Sequence, residues 1–290
     1  MKIALDWTPN PTHCGIFTAL SKSWFHKAGI DLRLISPQAD NYTSTPSLRL
    51  KNGEAHLAII SPEELILDQL SGNNQFVPLR ALLQQNVSSM AVLASSDIKR
   101  PAHLDGKKYA LLGIPWEKEI ITSMIKNDGG KGELEWVEAP KLDIYESLFE
   151  GKTDCAWIFK PIEGVEAKYK NLPLKTFNLE DYDVPYGPTT ILASNKVTYD
   201  INKEEIEFTL SIIEAGYSLA HLEPSIAVDA IFNHPLNHYY KDYQLLNKCQ
   251  IEILPYLNEN GVWGRFNAQK MEHYKNWLSK HCINKELLKR

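Results

Sequence analysis

The sequence predicts an α/β protein, with two lobes as one arrangement among several. Three observations lead there. Strand-like apolar runs alternate with helical patterns over roughly the first 190 residues. The chain has two places where it would cross from one group of strands to another. From Lys203 onward the pattern is helical almost to the end. At 290 residues the chain is long enough for two lobes and a sizeable core.

Taken in order, residues 3–6 read as a buried strand and 12–28 as a helix with Ile16, Ala19, Leu20 and Phe25 on one face. Asp31 to Ile35 reads as a second strand. Thr45 before Pro46 is an N-cap and N1 pair for a short helix through Leu50. Leu57 to Ile60 is a third, buried strand, and Ser61-Pro62-Glu63-Glu64 starts a helix with acids in its first turn, which suits the helix dipole. Pro78 to Leu83 and Met90 to Ser95 read as strands with the first crossing between them. Tyr109 to Leu112, Glu135 to Glu138 and Cys155 to Phe159 are further strands. Helices are expected to about Lys126, over Leu142 to Glu150, and over Glu163 to Lys170. Thr189 to Ala193 is the strand that brings the chain back. Helices follow near 203–220, 223–233, 239–248 and 267–280, the aromatic residues there, Tyr274 and Trp277 included, reading as helix packing. No internal repeat or low-complexity segment is evident. The expected division is 1–88 for the first lobe, 89–188 for the second and 189–290 for the return, with hinges near 86–92 and 184–192.

Composition narrows the function classes. A hydrophobic content of 43% and a charged content of 23% are those of an ordinary globular protein. A net charge of −5 argues against nucleic acid or an anionic membrane as partner. Lysines and arginines are scattered, with a short solvated cluster at Lys285, Lys289 and Arg290. No apolar run approaches the ~20 residues that span a bilayer. No basic-then-apolar segment precedes the first strand, so a cytoplasmic protein is expected; the alternative is an exported form whose leader has been removed. Cys14, Cys155, Cys249 and Cys282 are far apart and form no C-x-x-C pair, which argues against zinc or iron–sulfur sites. His234 and His238 have Pro235 between them and no third ligand, so no metal is expected.

The candidate site begins where the first strand ends. Asp6, Trp7, Asn10 and His13 lie within eight residues at a strand–helix junction, the edge that faces ligands in open α/β sheets. Pro9 and Pro11 make this turn non-helical and stiff. A surface turn with a tryptophan over the core would use the same residues. The turn Gly113 to Lys118 is the second candidate. Its glycine permits close backbone approach and Trp116 offers a ring. Glu117 and Glu119 place negative charge there, which suits a ligand's hydrogen-bond donors, such as ring amino groups. Trp157 and Phe159 share one face of a strand with Cys155, and Glu163 begins the next helix. Tyr186, between Pro185 and Pro188 at the second crossing, is a wall or a hinge.

Leu5-Asp6-Trp7-Thr8-Pro9-Asn10, with His13 and Gly15-Ile16-Phe17, resembles the opening of the thiamine-pyrimidine (SsuA/THI5-like) family. Further matches are Lys22-Ser23-Trp24-Phe25, Ala28-Gly29-Ile30-Asp31-Leu32, Asn52-Gly53-Glu54-Ala55, Asp154-Cys155-Ala156-Trp157-Ile158-Phe159 and Glu163-Gly164-Val165-Glu166-Ala167. The resemblance runs in register from residue 3 to about 195. It implies the two-lobed fold of type 2 periplasmic binding proteins, with the ligand cleft between lobes that close by hinge motion. It further implies binding of a thiamine pyrimidine precursor, an ABC transporter permease as partner, and ligand contact by the Gly113 turn, Trp157 and Glu163. The family also holds a yeast-type pyrimidine synthase, an enzyme that uses pyridoxal phosphate, iron, a lysine, a histidine and a cysteine-rich run. Here Ile60 and Glu64 stand at the lysine and histidine positions, and Pro185 to Thr189 contains no cysteine. A Schiff-base amine and a histidine donor are therefore absent. No catalytic residue and no cofactor are expected, and His13 alone does not make an enzyme.

Overall fold

The computed structural model describes residues 1–138, 144–187, 190–259 and 261–282. The chain opens with β1 (Lys2–Ala4), a 3-10 turn (Pro11–His13), α1 (Cys14–Ser21), α2 (Trp24–Lys27), β2 (Arg33–Ile35), α3 (Pro46–Lys51), β3 (Leu57–Ile60), α4 (Pro62–Leu70) and β4 (Phe76–Ala81). It continues through β5 (Ser88–Leu93), β6 (Lys108–Leu111), α5 (Glu117–Asn127), β7 (Glu135–Glu138), α6 (Glu146–Phe149), β8 (Cys155–Phe159), a π turn (Lys160–Gly164), α7 (Val165–Tyr169) and β9 (Leu174–Phe177). The remainder holds β10 (Ile191–Asn195), α8 (Lys196–Leu222), α9 (Pro224–Phe232), α10 (Tyr243–Leu257), β11 (Asn258–Glu259), β12 (Val262–Trp263) and α11 (Ala268–His281).

The local chemistry explains most of these limits. Ser61 and Glu64 form a complete capping box at α4, the hydroxyl accepting from Glu64 N and the carboxylate accepting from Ser61 N. Thr45 caps α3 through Leu48 N. The helix expected over 12–28 is instead broken at Ser23, whose φ of +57° is left-handed. α8 starts seven residues before the expected 203, capped by Asn195; the expected start falls just after Asn202, whose φ of −114° interrupts the helix. The strand β9 and the β11–β12 hairpin have no counterpart in the sequence reading, for each is short and half polar. The expected helix start at Leu142, strand start at Thr189, part of the 184–192 hinge and the Lys285, Lys289 and Arg290 tail lie outside the described residues.

The chain forms two compact units, Met1–Asn86 with Pro188–Asn267, and Val87–Gly187 with the chain from Ala268 on. The first unit's sheet has the order β2-β1-β3-β10-β4, with β1 parallel to β2 and β3, and β10 antiparallel to both neighbours. The second unit's sheet has the order β7-β6-β8-β5-β9, with β6 parallel to β7 and β8, and β5 antiparallel to both neighbours. The two sheets repeat one topology without a sequence repeat. In each, the antiparallel strand is the first strand after the chain changes unit.

In the first unit α1 packs on α8 and α9. The approach is close enough that a Cβ on Gly15 would lie 2.1 Å from the Tyr217 ring, and one on Gly216 would lie 2.0 Å from Gly15 O. Tyr217 stacks on Trp263 at 4.1 Å and donates to Thr12 O at 2.6 Å. The first unit's core therefore reaches the turn that carries Asn10 and His13. In the second unit α11 packs on α5 and places Tyr274, fully buried, against Tyr186. These contacts are why α11 groups with the second unit rather than with the helices that precede it.

Candidate functional site

The sequence-predicted residues fall at the carboxyl ends of parallel strands in both sheets: Asp6 after β1, Gly113 to Glu117 after β6, and Glu163 after β8.

In the first unit, Asp6 Oδ1 lies 2.8 Å from His13 Nε2. His13 is fully buried, and the Asp6 side chain is one quarter exposed. A carboxylate can only accept, so Nε2 carries the shared proton, and Nδ1 is the ring's other nitrogen. That Nδ1 is buried and has no hydrogen-bond partner. Asn10 is committed to its own turn: Oδ1 accepts from Thr12 N and Thr12 Oγ1, and Nδ2 donates to Thr8 O. Trp7 is half-buried and meets Tyr42 at 5.2 Å with the rings inclined by 55°. Burial, with the charge of Asp6, pushes the Tyr42 phenol up to about 12.

Glu64, after β3, belongs to the same group. Ser47 Oγ donates to its Oε1 at 2.5 Å and Ser61 N to its Oε2 at 3.0 Å. Burial raises its pKa, and Asp6 adds to the rise. From the sequence, Glu64 is recognisable only as a helix start and as a departure from the synthase. The Ser61-x-x-Glu64 spacing was the available signal, but it specifies a cap and not what the cap faces. Tyr42 sits in a loop with no periodicity to mark it. Ile60, at the synthase's lysine position, is buried.

In the second unit, Glu117 has no exposed surface. Its carboxylate accepts from Tyr109 OH at 2.7 Å, Leu112 N at 3.0 Å and Gly113 N at 3.1 Å, and burial raises its pKa. Gly113 carries φ +78°, which lets the turn fold over this carboxylate. Glu117 thus holds the turn closed and neutralises the backbone donors that could otherwise bind an anion. Trp116 is 6% exposed, and its Nε1–H is buried without an acceptor. Trp157 is 7% exposed and meets Tyr186 edge to face at 5.4 Å; Tyr186 meets Tyr274 at 5.0 Å. Trp157 and Tyr186 therefore touch each other and leave no gap for a ring between them in this state. Glu163, in the π turn, accepts from Phe159 N at 2.8 Å, and burial pushes it up to about 7. The same device thus recurs in both units: four residues past the end of β3 and of β8, a glutamate reaches back to a backbone N–H at the strand's end.

Residues 10–227 match the NMT1/THI5-like family. The chain belongs to that family. It is 23% identical over 287 residues to the formylaminopyrimidine-binding protein of Halalkalibacterium halodurans, covering 97% of this chain and 85% of that one. It is 24% identical over 241 residues to a Haemophilus influenzae protein named for thiamine biosynthesis, covering 82% and 74%. The periplasmic aliphatic sulphonate-binding protein SsuA of Escherichia coli superimposes with a TM-score of 0.71 at 13% identity, covering 97% of this chain and 86% of that one. This family member has the α/β periplasmic-binding-protein fold. No helix among its described residues is long and apolar enough to cross a membrane, and no group of His, Cys, Asp and Glu among them is arranged to hold a metal ion. All four cysteines are buried, and burial pushes the Cys14 thiol up to about 12.

Proposed function

We propose that the chain binds a thiamine pyrimidine precursor, an aminopyrimidine such as formylaminopyrimidine or hydroxymethylpyrimidine, for uptake, salvage or thiamine biosynthesis, and leaves it chemically unchanged. The observation that carries this reading is the match along almost the whole chain to a formylaminopyrimidine-binding protein. The site residues support it. Among the described residues, the hydrogen bonds of Asp6, Glu64, Glu117 and Glu163 come from an imidazole, hydroxyls and backbone N–H groups, and none from lysine or arginine. In each unit taken by itself, such groups suit a flat, nitrogen-rich, neutral or cationic ring better than a sulphonate, although SsuA shares the fold. Trp7, Trp157 and Tyr186 offer aromatic surface, each ring pair adding on the order of 1 kcal/mol beyond area burial. For uptake, a membrane permease is the partner class.

Calorimetric titration with hydroxymethyl-, aminomethyl- and formylaminomethyl-aminopyrimidines tests the reading. Micromolar or tighter binding of at least one is expected. Asp6→Ala and Trp157→Ala should each weaken it about tenfold, ~1.4 kcal/mol. Absence of heat with all three ligands would overturn the proposal.

A further inference from the structure

Trp116 and Glu119 each carry a buried polar atom without a partner, and they stand three residues apart at the start of α5. Trp116 is the residue before the helix, with nearly helical φ and ψ of −99° and −4°, so positions 116 and 119 share one helical face. The indole Nε1–H has no acceptor, and Glu119 Oε2 has no donor. They do not bond to each other. Buried polar groups left unpaired carry a free-energy cost, so two neighbouring ones of opposite sense ask for an occupant. The intervening acid is not available to serve them, because Glu117 is held by Tyr109, Leu112 and Gly113.

We propose that Trp116 and Glu119 read the amidine edge of the ligand. A 4-aminopyrimidine presents a ring-nitrogen lone pair beside an exocyclic amino group. The indole N–H donates to the ring nitrogen and the Glu119 carboxylate accepts from the amino group. This rests on the aminopyrimidine reading above and adds to it. The turn after β6 contributes a donor–acceptor pair, with Trp116 acting through its N–H rather than through a ring face, and Glu119 rather than Glu117 acting as the acid. A ligand lacking either half of that edge leaves one group unpaired, which is how a site built on hydrogen bonds rejects close analogues.

The test uses the full chain with two probes, 4-amino-5-hydroxymethyl-2-methylpyrimidine and its counterpart without the 4-amino group. Wild-type protein should bind the amino compound at least tenfold more tightly. Glu119→Gln should lose about tenfold or more for the amino compound and almost nothing for the counterpart, whereas Trp116→Phe, which removes the donor to a ring nitrogen that both probes keep, should weaken both about tenfold. Circular dichroism and the ligand-free Tm confirm that each variant folds; should Trp116→Phe fail to fold, Glu119→Gln carries the test alone. Equal losses for both probes in Glu119→Gln, or full affinity for the amino compound in either variant, would overturn this inference and leave the binding function standing. A fall in ligand-free Tm with unchanged affinities would assign the pair to packing or a trapped water, and also overturn it. Failure of the wild type to bind the amino compound or either of the other two aminopyrimidines would remove both readings together.

Discussion

At the residue scale, Glu64, Glu117 and Glu163 are turned to backbone N–H groups of their own units rather than displayed to water. Glu163 shows the consequence most directly. Its pKa of about 7, against an ordinary 4.5, means the folded chain keeps a proton that the unfolded chain has released. Between those two pH values the folded state binds more protons, so stability falls as pH rises. The contribution is fully present below about pH 4.5 and lost by about pH 7, a change on the order of 3 kcal/mol. Glu64 and Glu117, also raised by burial, act in the same direction. Glu163→Gln should therefore flatten the decline of Tm between pH 5 and 8 without abolishing it. A Tm profile parallel to that of the wild type would show that Glu163 is ionised in the folded chain. Sequence could name Glu117 and Glu163 as acids at strand ends, and no more. Whether a carboxylate faces a ligand or its own backbone depends on a few ångströms of turn geometry, and only the structure shows Gly113 N and Leu112 N closing on Glu117.

At the element scale, legibility followed periodicity. Leu57–Ile60 and Cys155–Phe159 were readable to the residue because each is a short apolar run buried on both faces. Strand β9, Leu-Lys-Thr-Phe, is an edge strand carrying a lysine and a threonine, and gives no such signal. The break between α1 and α2 was invisible because a serine in the left-handed region has no sequence mark. The packing of α1 on α8 was equally hidden, yet it positions the first unit's turn: Tyr217 crosses from α8 to hold Thr12 O, next to His13. Its closeness makes a sharp prediction. Gly15→Ala would drive a methyl group into the Tyr217 ring at 2.1 Å, which a packed interface accommodates only by moving a helix. A loss of about 2–3 kcal/mol is expected, read as a lowered urea midpoint with an unchanged m-value. An unchanged midpoint would mean that α8 has room to retreat and that the turn at Thr12 is not fixed by it.

At the scale of the whole molecule, the chain changes unit three times, after Asn86, Gly187 and Asn267, and the third change has a consequence for the site. The aromatic C-terminal stretch read from sequence as helix packing. In the structure Tyr274 is both packing and buttress: it is fully buried, it meets Tyr186 at 5.0 Å, and a Cβ on Gly187 would lie 3.1 Å from its ring. Tyr186 in turn rests on Trp157. A ring ligand that enters between Trp157 and Tyr186 must move Tyr186, and Tyr274, packed on Tyr186, bears on where it can go. Tyr274→Phe keeps the ring and should leave pyrimidine affinity within twofold of wild type. Tyr274→Leu keeps apolar bulk but removes the ring contact. It should lower Tm by a few degrees, as about 1–2 kcal/mol of lost packing does in a chain of this size, and should also change the quenching of Trp157 fluorescence on ligand addition. The Tm loss alone would follow from any buried core residue. Tyr274 also stacks on Trp277, so the comparison is made in a Trp277→Phe background; a change in ligand-induced quenching that Tyr274→Leu shows and Tyr274→Phe does not points to a residue that holds Tyr186 in place, and identical quenching with and without Tyr274→Leu would confine Tyr274 to the core of the second unit.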